Sequence, residues 1–315
     1  MFPKTFRAGA AAGLVVLFSL LLTGCGIYSS STWSRPPGKA TSQYLAEVPF
    51  FPQERHQCGP ASLAMMLSWS GQEIKPQDLS AQVYTPGRKG SLQPALITAA
   101  RRHQRVAYHV QGVPELMAEL GAGHPVLVLQ NLGLSWIPRW HYAVVVGIDF
   151  DEQVIILHSG TTAGKHVSFR VFENTWSRSN FWGLLVLPPT ELPATATEQR
   201  YLEAVVGLER AGAWKAAAAA YQRALERWNT SLPAWMGLGN SSYAAGRLER
   251  AEQAFRRAAQ LDPANGAPLN NLAQVLWEQG RKEEARQAAR RAVALGGRFQ
   301  EVYQATLREF EQQTF

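Results

Sequence analysis

Three sets of small residues in the C-terminal part of the chain stand at one common spacing. Gly212, Gly246 and Gly280 lie 34 residues apart, as do Ala217, Ala251 and Ala285, and as do Ala224, Ala258 and Ala292. A period of this length, held at three positions across three units, means that each unit is one supersecondary element whose apolar face is covered by the next. The surrounding composition is rich in Ala, Leu, Glu, Arg and Gln, so the unit is built from helices. Glycine closes the first helix of each unit in a left-handed conformation, and the alanines stand where helices cross too closely for a larger side chain.

The middle unit carries Trp235, Leu238, Gly239, Ala251, Phe255, Ala258 and Pro263, and with these it resembles a tetratricopeptide repeat. The resemblance divides 198–315 into units at 198–231, 232–265 and 266–299, with degenerate outer units and a capping helix over 301–310. It also implies a concave surface that binds a protein partner.

Upstream, a Pro-, Thr- and Ala-rich stretch over 189–197 has no apolar period and reads as a linker. The region 44–188 mixes both kinds of segment. Helices are expected at 60–70 and 92–103, and strands at 126–129, 142–148, 154–157, 167–171 and 182–187. The fold class is therefore α+β, helices over a mostly antiparallel sheet, joined to an all-α solenoid. With 315 residues, 46% of them hydrophobic, the chain is long enough for both cores.

The chain opens with Lys4, Arg7 and an apolar stretch over 8–22, followed by Leu22-Thr23-Gly24-Cys25. This resembles a bacterial lipobox. The resemblance implies a signal peptide at 1–24, lipidation of Cys25, and a Ser-, Gly- and Pro-rich tether over 25–43 that holds the protein to a membrane. Gly26, where an Asp would retain the protein, implies the outer membrane facing the periplasm. The net charge of +7 includes Lys4 and Arg7, and no basic run is interleaved with aromatics, so no nucleic-acid partner is expected.

Only two cysteines occur, Cys25 and Cys58. An exported chain that keeps a second, unpaired thiol in a Gln-, Gly- and Pro-flanked loop points to reactivity. Cys58 opens an expected helix, where free N–H groups and the helix dipole favour a thiolate. Gly59 is expected to leave room for a substrate backbone, and Pro60 sets the first turn. Among seven histidines, His141 stands at the mouth of an apolar strand, and no pair of histidines has zinc spacing, so no metal or cofactor is expected.

The segments Gln53-Glu54-Arg55-His56-Gln57-Cys58-Gly59-Pro60 and His141-Tyr142-Ala143-Val144-Val145-Val146-Gly147 resemble the bacteriocin-processing, double-glycine leader peptidases, which are papain-like cysteine peptidases. The resemblance implies a Cys58 nucleophile, a His141 base, a Gln53 oxyanion donor and hydrolysis of a peptide or protein substrate. Its orienting Asp or Asn is missing, since the strand after His141 ends Leu157-His158-Ser159-Gly160. That leaves Ser159 or His158 to orient the imidazole. The competing reading is an inactive, peptidase-like adaptor that works through its repeats.

Overall fold

The computed structural model describes residues 33–312 apart from 36, 39, 54 and 55; Cys25 and the leader lie outside the described residues. Everything below belongs to the unit Arg35–Phe315.

A seven-stranded antiparallel sheet organises the N-terminal domain. Its strands are β1 (Ser42–Tyr44), β4 (Val106–Gln111), β5 (Val126–Asn131), β6 (Trp140–Asp149), β7 (Val154–Ser159), β8 (Thr162–Ser168) and β9 (Trp182–Leu187). The order is β4-β9-β5-β6-β7-β8, and β1 pairs with the far half of β6. That half is free for β1 because β5 begins at Val126, opposite Val145, and β6 has a register shift against β7 between Val145 and Gly147. Gly147 lets β1 close in, since a Cβ there would stand 2.5 Å from the Gln43 carbonyl oxygen. A short hairpin of β2 (Tyr84–Thr85) and β3 (Gly90–Ser91) lies apart from the sheet.

β5 is buried along its whole length, which explains its continuous apolar run: helices lie on both sides of it. On one face, α1 (Cys58–Trp69) packs over Tyr142, with α2 (Pro76–Val83), α3 (Gln93–Arg102) and α4 (Gly112–Gly121) around it. On the other, α5 (Phe169–Ser177) covers β5 and β8, and Gln130 of β5 donates to Thr175 Oγ1 at 2.7 Å. The strand expected over 167–171 stops at Ser168. Val167, Phe169 and Val171 alternate, but Phe169, Phe172 and Trp176 share one helical face and all three are buried, so the 3.6-residue period prevails.

The solenoid consists of α6 (Glu198–Arg210) with α7 (Trp214–Arg227), α8 (Leu232–Ala244) with α9 (Leu248–Leu261), α10 (Gly266–Glu278) with α11 (Lys282–Leu295), and a last helix α12 (Gln300–Gln312). Gly212, Gly246 and Gly280 have φ of 71°, 74° and 78°, the left-handed conformation their spacing calls for. All six spaced alanines are fully buried. At Gly239 a Cβ would lie 2.4 Å from the buried Phe255 ring. Overpacking of about 1–3 kcal/mol exceeds the roughly 1 kcal/mol that Ala gains over Gly in a helix. Gly239→Ala should therefore lower the thermal unfolding midpoint, and calorimetry of the purified protein measures the change.

The segment between the two domains is held in place. The Glu119 carboxylate, fully buried at the end of α4, accepts from Ala194 N (3.1 Å), Thr195 N (2.8 Å) and Thr195 Oγ1 (2.6 Å), and it pairs with His124 Nδ1 at 2.7 Å. Burial alone would raise its pKa, but the hydrogen bonds from His124, Thr195 and Ala194 hold it below the usual carboxylate range. From α6, Arg200 pairs with Glu115 at 2.6 Å, donates to the His109 carbonyl and stacks over Tyr108. Gly207 of α6 lets the Arg101 guanidinium lie against the helix backbone. The first repeat is thus docked on the β4 edge of the sheet.

Candidate active site

Cys58 is the first residue of α1 and half-buried. The backbone N–H groups of Tyr142, Gly59 and Cys58 face the thiol and favour its ionised form. The peptide joining His141 to Tyr142 therefore lies beside the thiol, where the helix tip meets the strand that carries the imidazole. Tyr142 faces α1 and is buried, while His141 projects from the opposite face of β6 beside Gln130.

Ser159 Oγ lies 2.9 Å from His141 Nε2. The tautomer that leaves Nδ1 free to accept a proton is the one in which Nε2–H donates to this hydroxyl. His158 takes no part in orienting His141. It is buried, accepts from Gly164 N–H at Nδ1 (3.2 Å), donates from Nε2 to the Val48 carbonyl (3.1 Å), and packs edge-on against Phe50.

Gln53 holds the parts together. Its Oε1 accepts from Gly160 N–H at 3.0 Å, and its backbone N–H donates to the Gly160 carbonyl at 2.9 Å, clamping the turn after Ser159. Its Nε2 donates to Ser62 Oγ in α1 at 3.1 Å and to the Tyr142 carbonyl in β6 at 3.3 Å. One side chain so fixes the thiol helix, the imidazole strand and the serine turn. Both amide N–H groups of Gln53 are engaged in this arrangement. The Ser91 side chain occupies the space beside Gly59, where a Cβ would meet Ser91 Oγ at 2.2 Å.

Burial pushes the Cys58 thiol up, and the three N–H groups only partly offset it. Burial, with the like charge of Lys165, drives the His141 imidazole down to about 4. At neutral pH the thiol is protonated and the imidazole is a free base. The helix tip does not ionise the sulfur at rest, because desolvation outweighs it.

Between β5 and β6, Asn131 Oδ1 accepts from Gly133 N–H and Arg139 N–H, folding a loop that exposes Leu132, Leu134, Trp136, Ile137 and Trp140 beside His141. Sequence reasoning passed over Lys165, a lone basic residue ahead of the alternating segment 167–171. Only the strand register brings Lys165 to the imidazole. Among the described residues, no group of three His, Cys, Asp or Glu is placed to hold a metal ion.

Residues 45–183 match the Peptidase_C39 like family, and residues 202–268 and 242–307 each match a tetratricopeptide repeat model. A comparison with curated proteins finds no match. Among solved structures, a C39-like peptidase of Bacillus anthracis is 18% identical, covers 47% of this chain and 98% of its own, and has a TM-score of 0.41. The Yersinia enterocolitica type III secretion chaperone SycD, in complex with a peptide of the translocator YopD, is 17% identical over 37% of this chain and 94% of its own, with a TM-score of 0.35. PcrH from Pseudomonas aeruginosa is 19% identical over 36% of this chain and 91% of its own, also with a TM-score of 0.35. The chain thus carries a Peptidase_C39-like domain followed by tetratricopeptide repeats.

Proposed function

We propose that the protein is a thiol peptidase, anchored to a membrane through Cys25 and facing the periplasm, that hydrolyses a peptide or protein recruited by its repeats. The observation that supports this reading is that the His141–Tyr142 peptide lies beside the Cys58 thiol while the His141 imidazole is hydrogen-bonded to Ser159. The Cys58 sulfur adds to the scissile carbonyl carbon as His141 Nδ1 takes the thiol proton. The imidazolium then gives that proton to the departing amine nitrogen, and a water molecule, deprotonated by the same imidazole, hydrolyses the thioester. The repeats raise the local concentration of substrate at the cleft. Incubation of the purified protein with a proteome-derived peptide library, read by mass spectrometry, tests the reading. New termini should form with untreated protein and vanish after alkylation of Cys58, and equal cleavage before and after alkylation would refute it.

A second reading, an inactive adaptor, is favoured by the serine in place of a carboxylate and by the engaged amide of Gln53. The pH profile separates the two. A neutral imidazole is the working base, so activity is lost as pH falls through its pKa, giving an acid limb of kcat/KM near pH 4. In Ser159→Asp, a carboxylate would face the imidazolium and raise that pKa by about 1–2 units. The acid limb should move up accordingly, and an unmoved limb would mean that residue 159 does not touch the working base.

A further inference from the structure

A pocket of about 320 Å³ is lined by Ser159, whose hydroxyl meets His141 Nε2, and by the apolar side chains of Leu132, Leu157, Val167 and Val171. Lys165 also lines it. Lys165 pairs with Leu157 across β7 and β8, which puts both on the sheet face that carries Ser159 and His141. Its ammonium has no ion pair or hydrogen bond among the described residues, whereas the neighbouring His166 already faces Glu152 at 3.3 Å. That the Lys165 charge depresses the His141 pKa is a second sign that it stands close to the imidazole.

The side of the cleft this pocket serves follows from the chemistry. An imidazole that takes the thiol proton must hand it to the leaving nitrogen, so the substrate segment after the scissile bond lies over the imidazole rather than behind the sulfur. The cavity lined by Ser159 and Lys165 lies on that side.

We infer that this pocket takes the residues following the cleaved bond, and that Lys165 selects substrates presenting a carboxylate there, either a free C-terminus or an Asp or Glu side chain. The inference rests on the peptidase reading for its direction, but its binding chemistry can be tested without turnover. Three peptide pools share randomised residues before the bond and end in Ala-Ala carboxylate, Ala-Ala amide or Glu-Ala amide. Retention of each pool by full-length Cys58→Ala protein is measured beside cleavage by the wild type.

Retention of one or both carboxylate pools should exceed that of the amide pool by about 10-fold, the worth of one charge-assisted hydrogen bond. The preference should vanish with Lys165→Met in the same background and return with Lys165→Arg. Selectivity for the first pool alone identifies a C-terminal carboxylate, and selectivity for the third identifies an acidic side chain. Equal retention of all three pools, or a preference that survives Lys165→Met, overturns the inference whatever turnover shows. Carboxylate-selective retention without any wild-type cleavage leaves the pocket standing and defeats the hydrolytic reading alone.

Discussion

Cys58→Ala protein should cleave peptides at no more than about one-thousandth of the wild-type rate, while its unfolding midpoint stays close to that of the wild type. The first part follows from chemistry, because the Cys58 sulfur is the nucleophile of this reading, and removing such a group commonly forfeits three or more orders of magnitude. The second follows from position. Cys58 is half-buried at the first residue of α1, so losing its sulfur opens little interior space, and changes at such sites stay within about 1 kcal/mol. Progress curves on a cleaved library peptide, set beside thermal melts of both proteins, check the two parts together. A variant that loses activity by unfolding would contradict the account as surely as one that keeps it.

The second large effect concerns the joint between the domains. Glu119→Ala strips the acceptor from two backbone N–H groups and the Thr195 hydroxyl, and it removes a fully buried carboxylate that pairs with His124. Breaking a buried, hydrogen-bonded ionic network by deleting one member costs about 3–5 kcal/mol. For a unit of this size that lowers the unfolding midpoint by on the order of 10 °C. The pH dependence has a definite sign. The Glu119 pKa lies below its unfolded value, so its contribution is complete above that unfolded value, about 4.3, and fades as pH falls through the folded one. The gap between wild type and variant should therefore be widest near neutrality and narrow in acid. Proteolytic nicking over 188–197 should rise with the substitution, since Ala194 and Thr195 are then no longer clamped.

Much of this arrangement could be read from the residues. Gly212, Gly246, Gly280 and the spaced alanines announced the helix pairs because a left-handed turn and a close crossing each admit few side chains. The apolar strands β5, β6 and β9 stood out as continuous runs, being covered on both faces. The cysteine and the histidine were legible from their settings at a helix start and a strand mouth.

What was illegible depends on who faces whom. Gln53 looks like an oxyanion donor in the sequence, and only the contacts with Ser62, Tyr142 and Gly160 show both N–H groups engaged. Lys165 and Ser159 come together through the pairing of β7 with β8, a register that no local pattern encodes. The α5 helix was hidden because its first residues alternate like a strand, and tertiary burial decided it.

The account turns on whether the His141 imidazole serves as the base for the Cys58 thiol. The most direct measurement is the rate of Cys58 alkylation by iodoacetamide at pH 7, followed by intact mass, in the wild type and in His141→Ala. A half-buried thiol whose pKa lies above the ordinary range needs a neighbour to take its proton, so the variant should react at least about 10-fold more slowly. Equal rates in the two proteins would mean that sulfur and imidazole do not act on one another, and the hydrolytic reading would fall.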